Sequence, residues 1–213
     1  MTAVDPVSNA LTIVTLRRTV LVVAAINLAY FVVEIVVALT IGSVALLADS
    51  VDFLEDTAVN LLIALALGWS LAARAHVGRV LAIVILLPAI AVVVQLVLKV
   101  GDPEAPAALP LMLAAGGAAV VNLACALLLA RIRTAGGSMV GAAWLAARND
   151  VIVNMAIIGM AVVTLWVRTG WPDIVLGGLI IVLNGRAALE VWRLAGEERL
   201  AARALAGENL DDD

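Results

Sequence analysis

Asp49, Asp52, Asp56 and Asn60 are the residues of this chain best suited to do chemistry, because they recur every three or four positions along a segment that is otherwise apolar. At about 100° per residue they share one face of a helix, while Glu55 points well away from it. One aspartate at the centre of a membrane helix costs about 2.5–3.5 kcal/mol on insertion scales, so several together must be paired, protonated or bound to a cation. Four carboxylates within eight residues suggest the last of these, a site for a metal ion.

The rest of the chain makes that burial credible. Its 213 residues are 64% hydrophobic and only 14% charged, with a mean hydropathy of +1.14, which ordinary soluble domains do not reach. The chain therefore reads as an integral membrane protein. A net charge of −4 without any basic cluster excludes nucleic acid as a partner. The single cysteine, Cys125, stands in an apolar run and is expected to serve helix packing.

Six apolar runs must position the acidic face. They are expected over about Val20–Leu39, Ala45–Leu71, Val80–Val100, Leu109–Ala130, Ala142–Val167 and Trp171–Trp192. The fold class is thus all-α membrane protein with six transmembrane helices, residues 1–195 forming one domain and 196–213 a short acidic tail. Met1 to Leu16 shows no clear helix. Arg17-Arg18 before an apolar run resembles a secretory leader, but Glu34 interrupts that run and five more follow. If the spans alternate, Arg17, Arg18, Arg74, Arg79, Arg131, Arg133, Arg186 and Arg193 fall on one side, with Lys99 and Arg168 on the other. Both termini are then expected in the cytosol of a cell-membrane protein. Pro88 predicts a kink, and Gly116-Gly117 a close helix contact. His76 is expected in the short loop after the second helix. Trp69, Trp166, Trp171 and Trp192 stand near span ends, as interfacial tryptophans do.

Polar residues within the other runs share faces as well. Asn27, Tyr30 and Glu34 align on the first helix, Asp150 and Asn154 on the fifth, and Asp173 and Asn184 on the sixth. Arg148 points away from Asp150 and is expected to reach the headgroups. Glu34, Asp49, Asp52, Glu55, Asp56 and Asp150 lie inside the spans with no clearly buried Lys or Arg to oppose them, so salt bridges cannot neutralise them. Protons or a divalent cation must do so, and a cation bound by Asp52, Asp56 and Asp150 would displace protons from them.

Asn27-Leu28-Ala29-Tyr30-Phe31-Val32-Val33-Glu34, followed by Gly42-Ser43-Val44-Ala45-Leu46-Leu47-Ala48-Asp49, resembles the first two helices of the cation diffusion facilitator family of metal efflux transporters. The resemblance implies a ligand pair four residues apart in the second helix, here Asp52 and Asp56, and a second pair in the fifth. Asp150 matches one member of the latter. The other would be Ala146, which cannot coordinate, and Asn154 is the available substitute. Asp49, Asn60 and Glu34 are accessory positions, and Asp49 could equally orient the second helix. The family's cytosolic ferredoxin-like domain, which binds metal and helps dimerise, and its histidine-rich loop are both absent from this sequence. The homodimer and the metal-triggered regulation that the resemblance implies lose that support, while the transport site does not depend on it.

An all-oxygen donor set lacks the imidazole that favours zinc, so manganese, iron and cobalt join zinc as expected cargo, and magnesium stays in the set. No resident cofactor is expected; the partners are the lipid bilayer, a divalent cation and protons. Asp49-Ser50-Val51-Asp52 opens like the motif of membrane phosphatidyl transferases, but the Gly and Ala-Arg that should follow are missing, as is the Gly-x-Gly-Asp of intramembrane aspartyl proteases. An enzyme is not expected. The function that follows is proton-coupled efflux of divalent metal by alternating access; the alternative is a nontransporting membrane metal sensor or interaction protein of the same fold.

Overall fold

Helices account for nearly all of the backbone that the computed structural model describes, residues 6–66, 68 and 70–183. They are α1 (Pro6–Ile41), α2 (Val44–Ala66), α3 (Leu71–Gly101), α4 (Ala108–Ala130), α5 (Arg133–Val167) and α6 (Trp171–Leu183). Four contain stretches long and apolar enough to cross a membrane: Ile13–Ile41, Ile83–Gly101, Ala108–Ala130 and Met139–Val167. The chain is thus a multi-pass membrane protein. The 23 residues of α2 span about 35 Å at 1.5 Å per residue, but four carboxylates deny it an apolar composition. Asn184, Arg186, Trp192, Arg193 and the acidic tail lie outside the described residues, as does Trp69.

Two expectations need correction, and a third helix is longer than its span. The amino-terminal lead is helical from Pro6, because proline's fixed φ suits a first helical turn and no breaker follows it. His76 belongs to the exposed beginning of α3, which starts where the Ser70 hydroxyl accepts the Ala73 amide and caps the helix. The span expected from Ala142 is found as the apolar stretch Met139–Val167, and its helix begins earlier, at Arg133, since nothing after the turn at 131–132 stops it.

α2 packs against α1, α3 and α5, and α4 packs against α1 and α5. Sixteen of the 23 α2 residues are buried, so α2 is the centre of the bundle. Along α3, by contrast, Leu87 and Leu98 are about 70% exposed, as suits a surface facing lipid.

Only Gly42 and Ser43 separate α1 from α2. Gly42 adopts φ +65°, and the Ser43 amide reaches back to the Ala38 carbonyl at 3.1 Å, a Schellman ending that uses glycine's access to the left-handed region. Ser43 then caps α2, its hydroxyl accepting the Leu46 amide at 3.1 Å. Asp173, at the start of α6, completes this end. It accepts the Ser43 hydroxyl (2.6 Å), the Val44 amide (2.8 Å), the Ala45 amide (3.2 Å) and the Lys99 ammonium (2.8 Å). Lys99 also donates to the Gly42 carbonyl at 2.6 Å. The expectation of no buried base is therefore corrected: the Lys99 side chain is only 8% exposed, and Asp173 not at all. Its charge is fully engaged by Asp173 and brings nothing to the acidic face of α2.

Gly117 shows a second kind of close approach. A Cβ there would strike the Tyr30 hydroxyl, which donates to the Ala114 carbonyl at 2.7 Å; the expected contact is between a side chain and a helix. Gly117→Ala should therefore lower thermal stability by about 1–3 kcal/mol, the cost of overpacking. Gly116→Ala, whose added methyl would meet nothing within 4 Å, should not. Melting of both variants in detergent checks this; equal midpoints would contradict the packing of Tyr30.

Candidate metal centre

The short Gly42–Ser43 turn sets the register of α1 against α2. Residues equidistant from the Ile41–Gly42 peptide face each other: Glu34 meets Asp49, Tyr30 meets Phe53, and Asn27 meets Asp56. Glu34 and Asp49 stand at hydrogen-bond range of one another, both fully buried. The Tyr30 and Phe53 rings lie 5.1 Å apart. The Asn27 amide reaches Asp56 Oδ2 over 3.4 Å. The polar faces expected on the two helices thus meet as three rungs at successive depths.

From the opposite side α5 contributes Asp150 and Asn154. Asp52 is within electrostatic reach of Asp150, Asp49, Glu55 and Asp56, and Asp150 within reach of Asp56, Asp49 and Glu55. Asp52, Asp56 and Asp150 are half-buried, whereas Asp49, Asn60, Asn154 and Glu34 are buried. The Asn154 amide nitrogen donates to the Asp150 carbonyl at 3.0 Å and approaches Asp49 Oδ1 at 3.5 Å. Asn60 similarly donates to the Asp56 carbonyl at 2.9 Å. Both keep their side-chain oxygens, the atoms able to ligate a cation, buried and without a partner. Among the described residues no three His, Cys, Asp or Glu side chains are close enough together to hold an ion as they stand.

Glu34 makes the chemical demand plain. Neither of its oxygens has a donor partner, and Asp49 Oδ2 has none either. Two buried carboxyls in contact, with three of their four oxygens lacking a donor, require a proton or a cation between them. Asp52, Asp56 and Asp150 have no ammonium or guanidinium bound to them among the described residues, Lys99 with Asp173 being the ion pair there. Arg148 is exposed, its guanidinium 5.3 Å from the Trp144 ring centroid, in keeping with its expected direction away from Asp150.

The neighbours of two residues escape a reading by helix faces alone. Cys125 approaches Asn27 Oδ1 at 3.4 Å and so joins the Asn27–Asp56 rung in addition to packing. Glu55 is buried on the far side of α2 and lines a cavity of about 270 Å³ with Ala48, Val51 and Ala89. The first was hidden because it depends on where α4 crosses α1. The pairing of α1 with α2 was available from the two-residue turn, since a turn that short forces antiparallel neighbours in fixed register.

A family model, the cation efflux transmembrane domain, matches residues 20–196. The chain belongs to the cation efflux family. The match runs from within α1 past the end of α6 and takes in every residue of the acidic cluster. No curated protein matches significantly. Membership gives these residues of the cation efflux chain their chemical sense: carboxylates without a counter-charge among the described residues stand in a cation efflux transmembrane domain.

Ala146 is the position on α5, one turn before Asp150, at which a further donor could be added. Ala146→His should tighten zinc over manganese by about tenfold, or about 1.4 kcal/mol, because imidazole suits zinc better than the harder ion. Calorimetric titration of both metals checks it; an unchanged ratio would place residue 146 outside the site.

Proposed function

We propose that this protein exports divalent transition metal ions from the cytosol across the cell membrane, exchanging them for protons by alternating access. The carrying observation is that Asp52, Asp56 and Asp150, inside the membrane domain of a cation efflux family member, have no base bound to them among the described residues. Six crossings with both termini cytosolic are part of this reading. In the cycle, deprotonated Asp52, Asp56 and Asp150 take the ion from the cytosolic side, with the Asn154 oxygen as an additional donor. The helices then rearrange, and protons entering from outside displace the ion. Glu34, without a donor on either oxygen and in contact with Asp49, supports a proton within the same layer of the bundle.

Oxygen donors keep manganese, iron, cobalt and zinc all within the cargo class. A homodimer formed through the membrane helices is compatible with the apolar exterior, where Val120 and Leu127 of α4 are more than half exposed.

Purified protein in liposomes under an imposed pH gradient tests the reading. Uptake of at least one of these metals should follow the gradient and fall to background in the Asp52→Ala/Asp56→Ala double variant. Retained uptake in that variant would remove the site assignment. The absence of uptake of every metal by folded protein would favour a nontransporting sensor.

A further inference from the structure

The end of the bundle that carries Gly42, Lys99 and Asp173 is joined far more firmly than the seam holding the carboxylates. Asp173 of α6 accepts the Ser43 hydroxyl, the first two amides of α2 and the Lys99 ammonium, and Lys99 also holds the last carbonyl before Ser43. A carboxylate at a helix N-terminus also meets the positive end of the helix dipole, so three favourable terms coincide on one buried group. One turn further along α6, a Cβ on Gly177 would stand 2.7 Å from Val44 Cγ1 and 2.8 Å from the Ala45 nitrogen. At Gly170 it would meet the Glu104 carbonyl at 2.5 Å and Lys99 Cε at 2.9 Å. The Gly170 amide donates to the Pro103 carbonyl at 2.7 Å. The ends of α2, α3 and α6 therefore meet without spare volume. The α2–α5 seam is different: its side-chain polar contact is the 3.5 Å approach of Asn154 to Asp49.

We propose that Asp173, acting through Lys99, Ser43 and the first amides of α2, is a positioning residue for transport: it forms a joint that stays closed throughout the cycle and serves as the fixed point about which α2 opens from α5. Dissociating the joint would strand a buried carboxylate, a buried ammonium and the unsatisfied start of α2 at once. Parting α2 from α5 breaks one long polar contact among the described residues, and otherwise only the apolar packing around Ile157 and Ala161, which carries no charge to strand. The weaker seam is also the one that contains the cargo ligands, so movement there changes access to them while the joint keeps α2 in register with α1.

The inference rests on the transporter reading, and its test has two arms. In the first, Val44→Cys/Gly177→Cys is oxidised to a disulfide across the joint, with loss of thiol labelling as the measure of closure and each single-cysteine variant as control. The oxidised protein should keep at least half the metal uptake rate of the same protein reduced; oxidation that stops uptake would make the joint a gate and overturn the proposal. In the second, Asp173→Asn and Lys99→Met should each lower the maximal uptake rate at least fivefold while half-saturating metal stays within twofold. Oxidation of the Val44→Cys/Gly177→Cys pair in the Asp173→Asn background should restore most of that rate, measured per folded protein in the same sample before and after oxidation. Wild-type rates in Asp173→Asn, or a loss that the disulfide does not rescue, would overturn it. If unaltered protein moves no metal at all, the transporter reading has failed on its own. The joint is then judged by melting, where oxidation should recover the midpoint lost in Asp173→Asn, and no recovery would overturn it too.

Discussion

A carboxylate removed from water must find donors, a counter-charge or a proton, and this chain meets that constraint in two opposite ways. Asp173 has everything: two amides, a hydroxyl and the ammonium of Lys99, all within 3.2 Å. Removing one partner of such a buried pair costs about 3–5 kcal/mol, so Asp173 is structural. Among the described residues, Asp52, Asp56 and Asp150 have no such complement, and Glu34 has no donor on either oxygen. Their demand is left for something that comes and goes. The difference separates a fixed charge from a working one, and it is what turns a helical bundle into a candidate cation carrier.

The other features serve to hold the working charges at defined depths. The Gly42–Ser43 turn brings α1 and α2 together in antiparallel register, which places Asn27 against Asp56 and Glu34 against Asp49. Tyr30 lies between these rungs, stacked near Phe53 and seated over Gly117 of α4. α5 supplies Asp150 and Asn154 from the opposite side through a seam with little polar stitching. Lipid faces the remaining surfaces of α3, α4 and α5, where large aliphatic side chains are exposed.

Much of this arrangement is legible in the residues. The 3.6-residue period groups Asp49, Asp52, Asp56 and Asn60, and separately Asn27, Tyr30 and Glu34, and the structure sets those two faces against each other. Burial of Glu55 away from the cluster also follows from its angle on α2. Helix ends are less legible, because the apolar pattern stops where the membrane core stops while the hydrogen-bonded backbone continues; hence α1 from Pro6 and α5 from Arg133. Lys99 looks like an outer-side charge and turns out to be a buried partner. A signal was present, since it is the only lysine beside twelve arginines and stands on the expected outer side with Asp173. Cys125 could not be placed beside Asn27 without knowing the crossing of α4 over α1.

The account depends most on metal and protons competing for the same carboxylates. Counting protons released when metal is added to purified protein in weak buffer tests this without requiring transport. Release should rise in step with bound metal, saturate with it and disappear in the Asp52→Ala/Asp56→Ala variant. Metal binding that releases no protons, or release that is unchanged in that variant, would contradict it.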